Sequence, residues 1–435
     1  MSEEAEAEAE AEETEDEPEE ETDKKLDAET RERIENRLEE ILEEYDIPKQ
    51  FPKQARQEVE RITDGFRDEI EEGGDDERVD LRALTTFTCD PKRAQDFDDA
   101  ITINETSDGW RLWVHIADVS HYVTPDTELY QEAKRRASTV YFPGHTVHML
   151  PSDLAETVCS LVPNEERFAH SVEMLINENY SFENVDIYKS VIESDRRLTY
   201  SEAESVLEGD DSDVSDDVAE SLRTSYELAE GLHETRKADG SLVLNPARDR
   251  AHTIVEECML KANKAVTQEL MWNRGVEAMY RVHPQPTPDQ WSDALQEIQD
   301  IDDVSIPADK WDEPRVAVNE AIENASERDL RKIQRAVLFV MPRAKYMSDP
   351  FGGHYALNFD IYGHFTSPIR RIADLVNHRI VHENDVPDDI DALADHASDR
   401  QVDAESAERD FKKFLEELGF DPHEVEDYKF DSGGD

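Results

Sequence analysis

The chain has 435 residues, 37% of them hydrophobic, enough to fill the core of one large catalytic domain with extensions or of two or three smaller ones. It carries 107 acidic residues against 47 Lys plus Arg, a formal charge of −60 spread along the whole sequence, which points to molar salt, where a Debye length of about 3 Å screens self-repulsion. The expected source is an extreme halophile, an archaeon. No run approaches the roughly 18 apolar residues of a membrane span, and the polyacidic N-terminus excludes a basic-then-apolar signal peptide, so a cytoplasmic protein is expected.

Residues 1–23 are Glu, Ala, Asp and Thr repeats with too little apolar surface to offset chain entropy, a disordered acidic tail. Residues 24–80 read as a helical leader: Ile34, Leu38, Ile41 and Leu42 recur at helical spacing, Ile47-Pro48 breaks the pattern, and a second helix runs to about Ile70. The main domain is expected over 81–420. Strands Ala100–Asn104 and Trp110–Val119 flank the hairpin signal Ser107-Asp108-Gly109. Helices are expected over Pro125–Arg136, Ser152–Leu161 and Ser201–Lys237, the last interrupted by the acidic loop Glu208–Asp217. Further helices fall at about 253–273, 287–299, 313–340, 367–382 and 399–418, before a loose tail over 421–435. Cys89, Cys159 and Cys258 are far apart, form no Cys-x-x-Cys pair and lie in apolar stretches, as ordinary buried thiols do. There is no Gly-rich phosphate loop.

The most informative segment is Asp90-Pro-Lys-Arg-Ala-Gln-Asp96-Phe-Asp98-Asp99, four carboxylates directly ahead of a strand. Carboxylates this close cannot all stay ionised without an offsetting charge, and hard oxygen ligands select Mg²⁺, with Mn²⁺ as the alternative, over zinc. An extended chain would aim Asp96 and Asp98 to one face and Asp99 to the other, so a loop or bulge must gather them. The run lacks the Gly and Glu of an EF-hand loop. The competing reading is a solvated acidic loop.

A second constellation is Phe365-Thr-Ser367-Pro368-Ile-Arg370-Arg371, which has the composition of a helix start with Ser367 as N-cap and Pro368 at the first helical position. A helix N-terminus with Arg370 in its first turn would hold a phosphate well. The alternative is that Arg370 pairs with Asp374 at i+4 on an exposed face. His115, Asp118 and His121 allow a zinc reading, against which a structural role is favoured because two of them share alternating positions in what looks like a core strand.

These stretches resemble the RNB catalytic domain of the ribonuclease II and ribonuclease R exoribonucleases. The matching segments are Asp90–Ile103, His115–Tyr122, Ser138-Thr-Val-Tyr141-Phe-Pro, Met149-Leu-Pro-Ser with Cys159-Ser-Leu, Val255–Asn263, Tyr280-Arg-Val-His283, His364–Arg371 and Ala407-Glu408-Arg-Asp410. They come in family order over residues 80–415. The resemblance implies an α+β fold with a mixed β-sheet core flanked by helices that form an RNA channel. It implies Mg²⁺-dependent hydrolysis of single-stranded RNA from the 3' end to nucleoside 5'-monophosphates. Asp90, Asp96, Asp98 and Asp99 would hold the metal ions, with Asp98 the least replaceable. Arg370 would neutralise charge on the scissile phosphate, Tyr141 would stack on a base near the 3' end, Glu408 would help set the terminal nucleotide, and Ser367 and Arg371 would contact RNA. Read without the resemblance, Tyr141 suits a half-buried strand and Glu408 a solvated helix.

The chain departs from the family in several places. The acidic, helical residues 1–80 and the short stretch after 418 do not fit the usual cold-shock and S1 barrels, so a separate RNA-binding or helicase partner is expected to replace them; the protein itself is expected to be a monomer. No aromatic stands between Tyr226 and Trp272, so an aromatic clamp from that region is missing. In molar salt, affinity should rest on stacking, metal contacts and channel shape, with local Lys and Arg such as Arg281, Arg343 and Lys345 near the path. Two other functions stay open: a non-catalytic RNA-binding protein of the same fold, and a phosphoesterase limited to short oligonucleotides.

Overall fold

A computed structural model describes residues 26–74, 78–245, 249–301, 304–307, 310–423, 425 and 428–430; the expected tail over 1–23 and the closing 431–435 lie outside them. Helix α1 (Ala28–Glu44) starts where the Asp27 side chain accepts from the Thr30 amide at 2.7 Å, and it buries the four apolar residues that predicted it. Helix α2 (Lys53–Glu71) begins directly after Pro52. Strands β1 (Val79–Asp80), β2 (Phe87–Asp90), β3 (Asp99–Thr106) and β4 (Gly109–Ala117) follow. The β3–β4 turn needs its glycine: Gly109 sits at φ +143°, and an added Cβ would come within 2.1 Å of the Ile176 carbonyl oxygen.

The strand expected to run to Val119 ends at Ala117, where the Asp118 side chain caps the short helix α3 (Val119–Tyr122). Next come α4 (Glu128–Arg136), the small hairpin β5 (Val140–Phe142) and β6 (His145–Val147), and a π-helical turn over Asp153–Cys159 where an α-helix was expected. Strands β7 (Glu166–Asn177), β8 (Phe182–Glu193) and β9 (Arg196–Thr199) then complete the sheet. The sequence pattern does not mark these three: in β7 the polar Arg167, His170 and Ser171 are buried among apolar neighbours, so alternation of residue type is lost over its first half.

The helices α5 (Tyr200–Leu207), α6 (Asp216–Ala238) and α7 (Arg250–Gln268) follow the predicted pattern, the last continuing as a π-helical turn over Glu269–Arg274. After β10 (Tyr280–Val282) come α8 (Pro288–Gln299), α9 (Pro314–Glu323) and α10 (Glu327–Val340). The single helix expected over 313–340 is therefore two, because the Ser326 hydroxyl accepts from the Asp329 amide and starts a new helix. Strand β11 (Lys345–Met347), α11 (Ile372–Glu383) and α12 (Ile390–Glu417) close the fold. Helix α12 starts well before the expected 399.

Among the described residues the main sheet has seven strands in the order β1-β8-β7-β4-β3-β2-β9. Its centre is antiparallel, while β1 joins β8 and β9 joins β2 in parallel, so the sheet is mixed as expected. One core packs α2, α5–α7 and α11 against this sheet. A second joins α8, α9 and α10. A third joins α1, the β5–β6 hairpin, α12 and the C-terminal Val425 and Phe430. Thus the stretch expected to be loose from 421 is packed in its described part, where the Phe430 amide donates to the Gly144 carbonyl at 2.9 Å.

Candidate active site

The acid cluster is built by the antiparallel pairing of β2 and β3, which brings the end of one strand alongside the start of the other. Asp90 is the last residue of β2 and Asp99 the first of β3, so both flank the loop carrying Asp96 and Asp98. That loop is stapled from below. Ser160 Oγ accepts from the Phe97 amide at 2.9 Å and donates to the Gln95 carbonyl at 2.8 Å, and the Phe97 carbonyl takes the Leu161 amide at 3.0 Å. The Asp98 carbonyl takes the Ala117 amide at 2.9 Å. A loop, and not a bulge, carries Asp96 and Asp98 between the two strands.

Asp98 is 4% exposed, and both its oxygens are used: Oδ1 accepts from the Ile369 amide at 2.8 Å and Oδ2 from Arg370 Nε at 3.3 Å. Burial pushes its carboxyl up to about 7, with Arg370 opposing and Asp96 adding to the rise. Burial likewise raises Asp90 to about 7, and raises Asp99 well above the carboxylate range with the help of Asp90 and Asp98. Asp90 Oδ2 is buried without a hydrogen-bond partner.

The Arg-bearing turn is not a helix start. Helix α11 begins at Ile372, with Arg371 and not Ser367 at the N-cap position. Residues 368–370 form a turn closed by the Arg370 and Arg371 amides donating to the Ser367 carbonyl at 3.3 and 3.0 Å. The cause is Asp374: its Oδ1 accepts from the Ser367 amide at 2.8 Å and from Arg371 Nη2 at 2.7 Å, which folds the segment back before the helix begins. The i+4 pair of Arg370 with Asp374 is therefore replaced by Arg371 with Asp374, and Arg370 is left for Asp98. Ser367 is buried, and its hydroxyl accepts from Arg370 Nη2 at 3.1 Å.

Above this floor opens a cleft of roughly 200 Å³ lined by Tyr141, Tyr346, Arg370, Arg371, Glu405 and Glu408, among others. Tyr141, 40% exposed on the β5–β6 hairpin, donates its hydroxyl to Asp96 Oδ2 at 3.4 Å, and its amide donates to Glu408 Oε1 on α12 at 3.2 Å. Segments some 270 residues apart in sequence thus face one cleft. Arg281 is nearly buried, stacked over the Tyr346 ring at 4.7 Å, and Arg343 pairs with Glu405 at 2.7 Å. Tyr346 is not singled out by the sequence, and Asp374 is given the wrong partner there; the Arg371–Asp374 spacing of three residues is the signal for the right one.

His115 lies apart from Asp118 and His121, which both meet Arg78, at 2.7 and 3.3 Å. His115 lies between Ser171 Oγ at 2.7 Å and Thr102 Oγ1 at 3.1 Å, Asp118 holds Arg78 at 2.7 Å and His170 at 2.8 Å, and His121 meets Glu69 at 2.8 Å. Their role is structural. All three cysteines are buried free thiols.

Among the described residues no three His, Cys, Asp or Glu side chains are grouped closely enough to hold one ion between them. The donor set nevertheless fits a hard divalent cation by its chemistry, with all-oxygen ligands, like charges buried together and the orphaned Asp90 Oδ2. Asp98 would exchange its Arg370 contact for the ion.

The fold and cleft define a mixed α/β domain in which buried acids face an arginine turn. The sequence profile of the RNB domain matches residues 78–384, and the chain belongs to that family. It is 36% identical to ribonuclease R of Aquifex aeolicus over 348 residues, 75% of this chain and 49% of the relative. The ribonuclease R of Escherichia coli is 33% identical over 350 residues, 75% of this chain and 42% of that one. The chain thus spans about half the length of the curated relatives it matches. The structure is similar to that of Mycoplasma genitalium RNase R in complex with ribose-methylated single-stranded RNA. The TM-score is 0.79 at 25% identity, over 88% of this chain and 64% of that one. It shares its fold with yeast Ssd1, a pseudonuclease, at a TM-score of 0.65 and 21% identity over 80% and 45% of the two chains.

Proposed function

We propose that the protein is a divalent-cation-dependent exoribonuclease that hydrolyses single-stranded RNA from the 3' end to nucleoside 5'-monophosphates. The observation that carries this reading is the contact of Asp98 with Ile369 and Arg370, which joins the acid cluster to the arginine turn beside the cleft. A hard cation, Mg²⁺ or Mn²⁺, held by Asp90, Asp96, Asp98 and Asp99, would supply the positive charge that activates water and stabilises a leaving oxygen. Arg370, its side chain 45% exposed and held beside the cleft by Asp98 and Ser367, would offer its guanidinium to the scissile phosphate. Arg371, locked to Asp374, lines the same wall as a fixed positive charge. Tyr141 offers its ring to the 3'-terminal base, and Glu408 orients it by accepting the Tyr141 amide. Stacking of this kind reads no sequence, as a degradative enzyme requires.

The deciding experiment is digestion of a 5'-labelled single-stranded RNA with Mg²⁺ in about 2 M KCl by the unmodified protein and by Asp98→Asn. A shortening ladder or small end product that falls at least about 100-fold in the variant supports the enzyme. Retained binding without any loss of RNA in the unmodified protein would reassign the chain as a non-catalytic RNA-binding protein.

A further inference from the structure

Helix α10 carries a face that the acid excess of this chain makes conspicuous. From Arg328 to Lys345 there are six Lys or Arg and one acid, Asp329, in a sequence of 107 acids and 47 bases. At 3.6 residues per turn, Arg328, Arg331, Lys332, Arg335, Leu338 and Phe339 fall within a stripe about 120° wide. The opposite side, Ile333, Ala336, Val337 and Val340, is buried in the core shared with α8 and α9. The stripe is open to solvent, with Leu338 62% and Phe339 87% exposed. Among the described residues, Lys332 pairs with Asp329 of the same helix at 2.7 Å, while Arg331 and Arg335 have no carboxylate within ion-pair distance.

The stripe is joined to the cleft through the chain itself. From its C-terminal end the chain passes through Arg343, which holds the cleft residue Glu405, into β11, whose Tyr346 lines the cleft wall. Cationic rungs four residues apart stand about 6 Å apart along the helix axis. An aromatic ring, Phe339, closes the series at the C-terminal end of the helix. Phosphates need the first, and unstacked bases use the second. A chain of formal charge −60 repels a polyanion except where bases are concentrated, as they are here.

We propose that the exposed face of α10 is a rail for the upstream part of a single-stranded RNA whose 3' end lies in the cleft, with Arg331 and Arg335 on phosphates and Phe339 under a base. This rests on the exoribonuclease reading above and adds where the rest of the substrate runs. None of these side chains belongs to the cleft machinery, and all are exposed, so their variants should fold.

The test compares the unmodified protein with Arg331→Ala/Arg335→Ala and with Phe339→Ala on oligouridylates of 5 and 30 nucleotides. Cleavage is followed with Mg²⁺, and 30-mer binding is followed by fluorescence anisotropy in the Asp98→Asn background. The expected result is a fall of about 10-fold in kcat/KM on the 30-mer, carried by KM, with the 5-mer unchanged. For the Arg pair, the slope of log affinity against log KCl should become shallower by about 1.4, two phosphates at about 0.7 each. For Phe339→Ala the loss should persist at every salt concentration. Equal losses on both lengths, or unchanged 30-mer binding, would overturn the proposal. Tighter 30-mer binding by the Arg variant would also overturn it and assign the face to an acidic polypeptide. If the unmodified protein cleaves neither length, the exoribonuclease reading fails, while the anisotropy still decides the fate of the rail.

Discussion

At the scale of single residues, the structure separates side chains that were alike in sequence. Asp98 is buried and bound by two donors from the distant turn, whereas Asp96 is partly exposed and accepts from the Tyr141 hydroxyl. Tyr141→Ala should therefore weaken binding of short RNA by about 1–3 kcal/mol, the worth of one stacked base, seen as a roughly 5- to 160-fold rise in KM with kcat less affected. An unchanged KM would remove Tyr141 from the RNA path. Buried His115 makes a prediction about pH. Burial holds its imidazole down to about 3, against about 6.5 in an unfolded chain. The unfolded state therefore takes up a proton below pH 6.5 that the folded state refuses, and stability is lost as pH falls from 6.5 toward 3. The loss from this one group is about 2 kcal/mol at pH 5. Denaturant titrations of His115→Gln should show a shallower dependence on pH, by about one proton between pH 6.5 and 5; an identical slope would show that His115 is not the group.

At the scale of elements, each misplacement has a local cause. The β7 strand is hard to read because Arg167, His170 and Ser171 are buried within it and break its apolar pattern. The turn over 368–370 was read as helix because Ser-Pro is a good helix start; only the Ser367–Asp374 hydrogen bond overrides it. The β5–β6 hairpin offers a direct test of how an element positions the site. Its Gly144 has φ +76°, and a Cβ there would meet the Tyr428 carbonyl oxygen at 2.3 Å and the Phe430 ring at 2.7 Å. Gly144→Ala combines backbone strain with a clash against backbone, so it should cost about 2 kcal/mol or more. Calorimetry should show a lowered Tm, and RNA affinity should fall with it because Tyr141 rides on the hairpin; a Tm within 1 °C of the parent would refute this account.

For the whole molecule, the leader helices are part of the packing and not a separate module. Helix α1 shares its core with α12 and the C-terminal segment, and Tyr45 donates its hydroxyl to Asp410 at 2.7 Å. Deleting residues 1–47 should expose that core and yield a destabilised, aggregating protein; a soluble fragment of unchanged Tm would contradict it. The formal charge of −60 gives a second expectation. Raising KCl from 0.2 to 2 M should raise Tm by more than about 10 °C through screening of self-repulsion. A Tm that stays flat or falls would dispose of adaptation to molar salt. Among the described residues no helix is long and apolar enough to cross a membrane.

By itself the sequence determined the ingredients: the four-acid segment, the Ser-Pro-Ile-Arg-Arg segment, the order of the family stretches and most of the helices. These are written in local spacing and residue chemistry, which act over a few positions and survive being read one window at a time. Only the tertiary structure decided that Arg370 meets Asp98 and Arg371 meets Asp374, that the Ser367 hydroxyl accepts from Arg370, and that Tyr141 and Glu408 face one cleft. Those outcomes depend on contacts between segments up to 272 residues apart. Which partner a charged group takes there is set by burial and competing donors, and neither exists until the chain has folded.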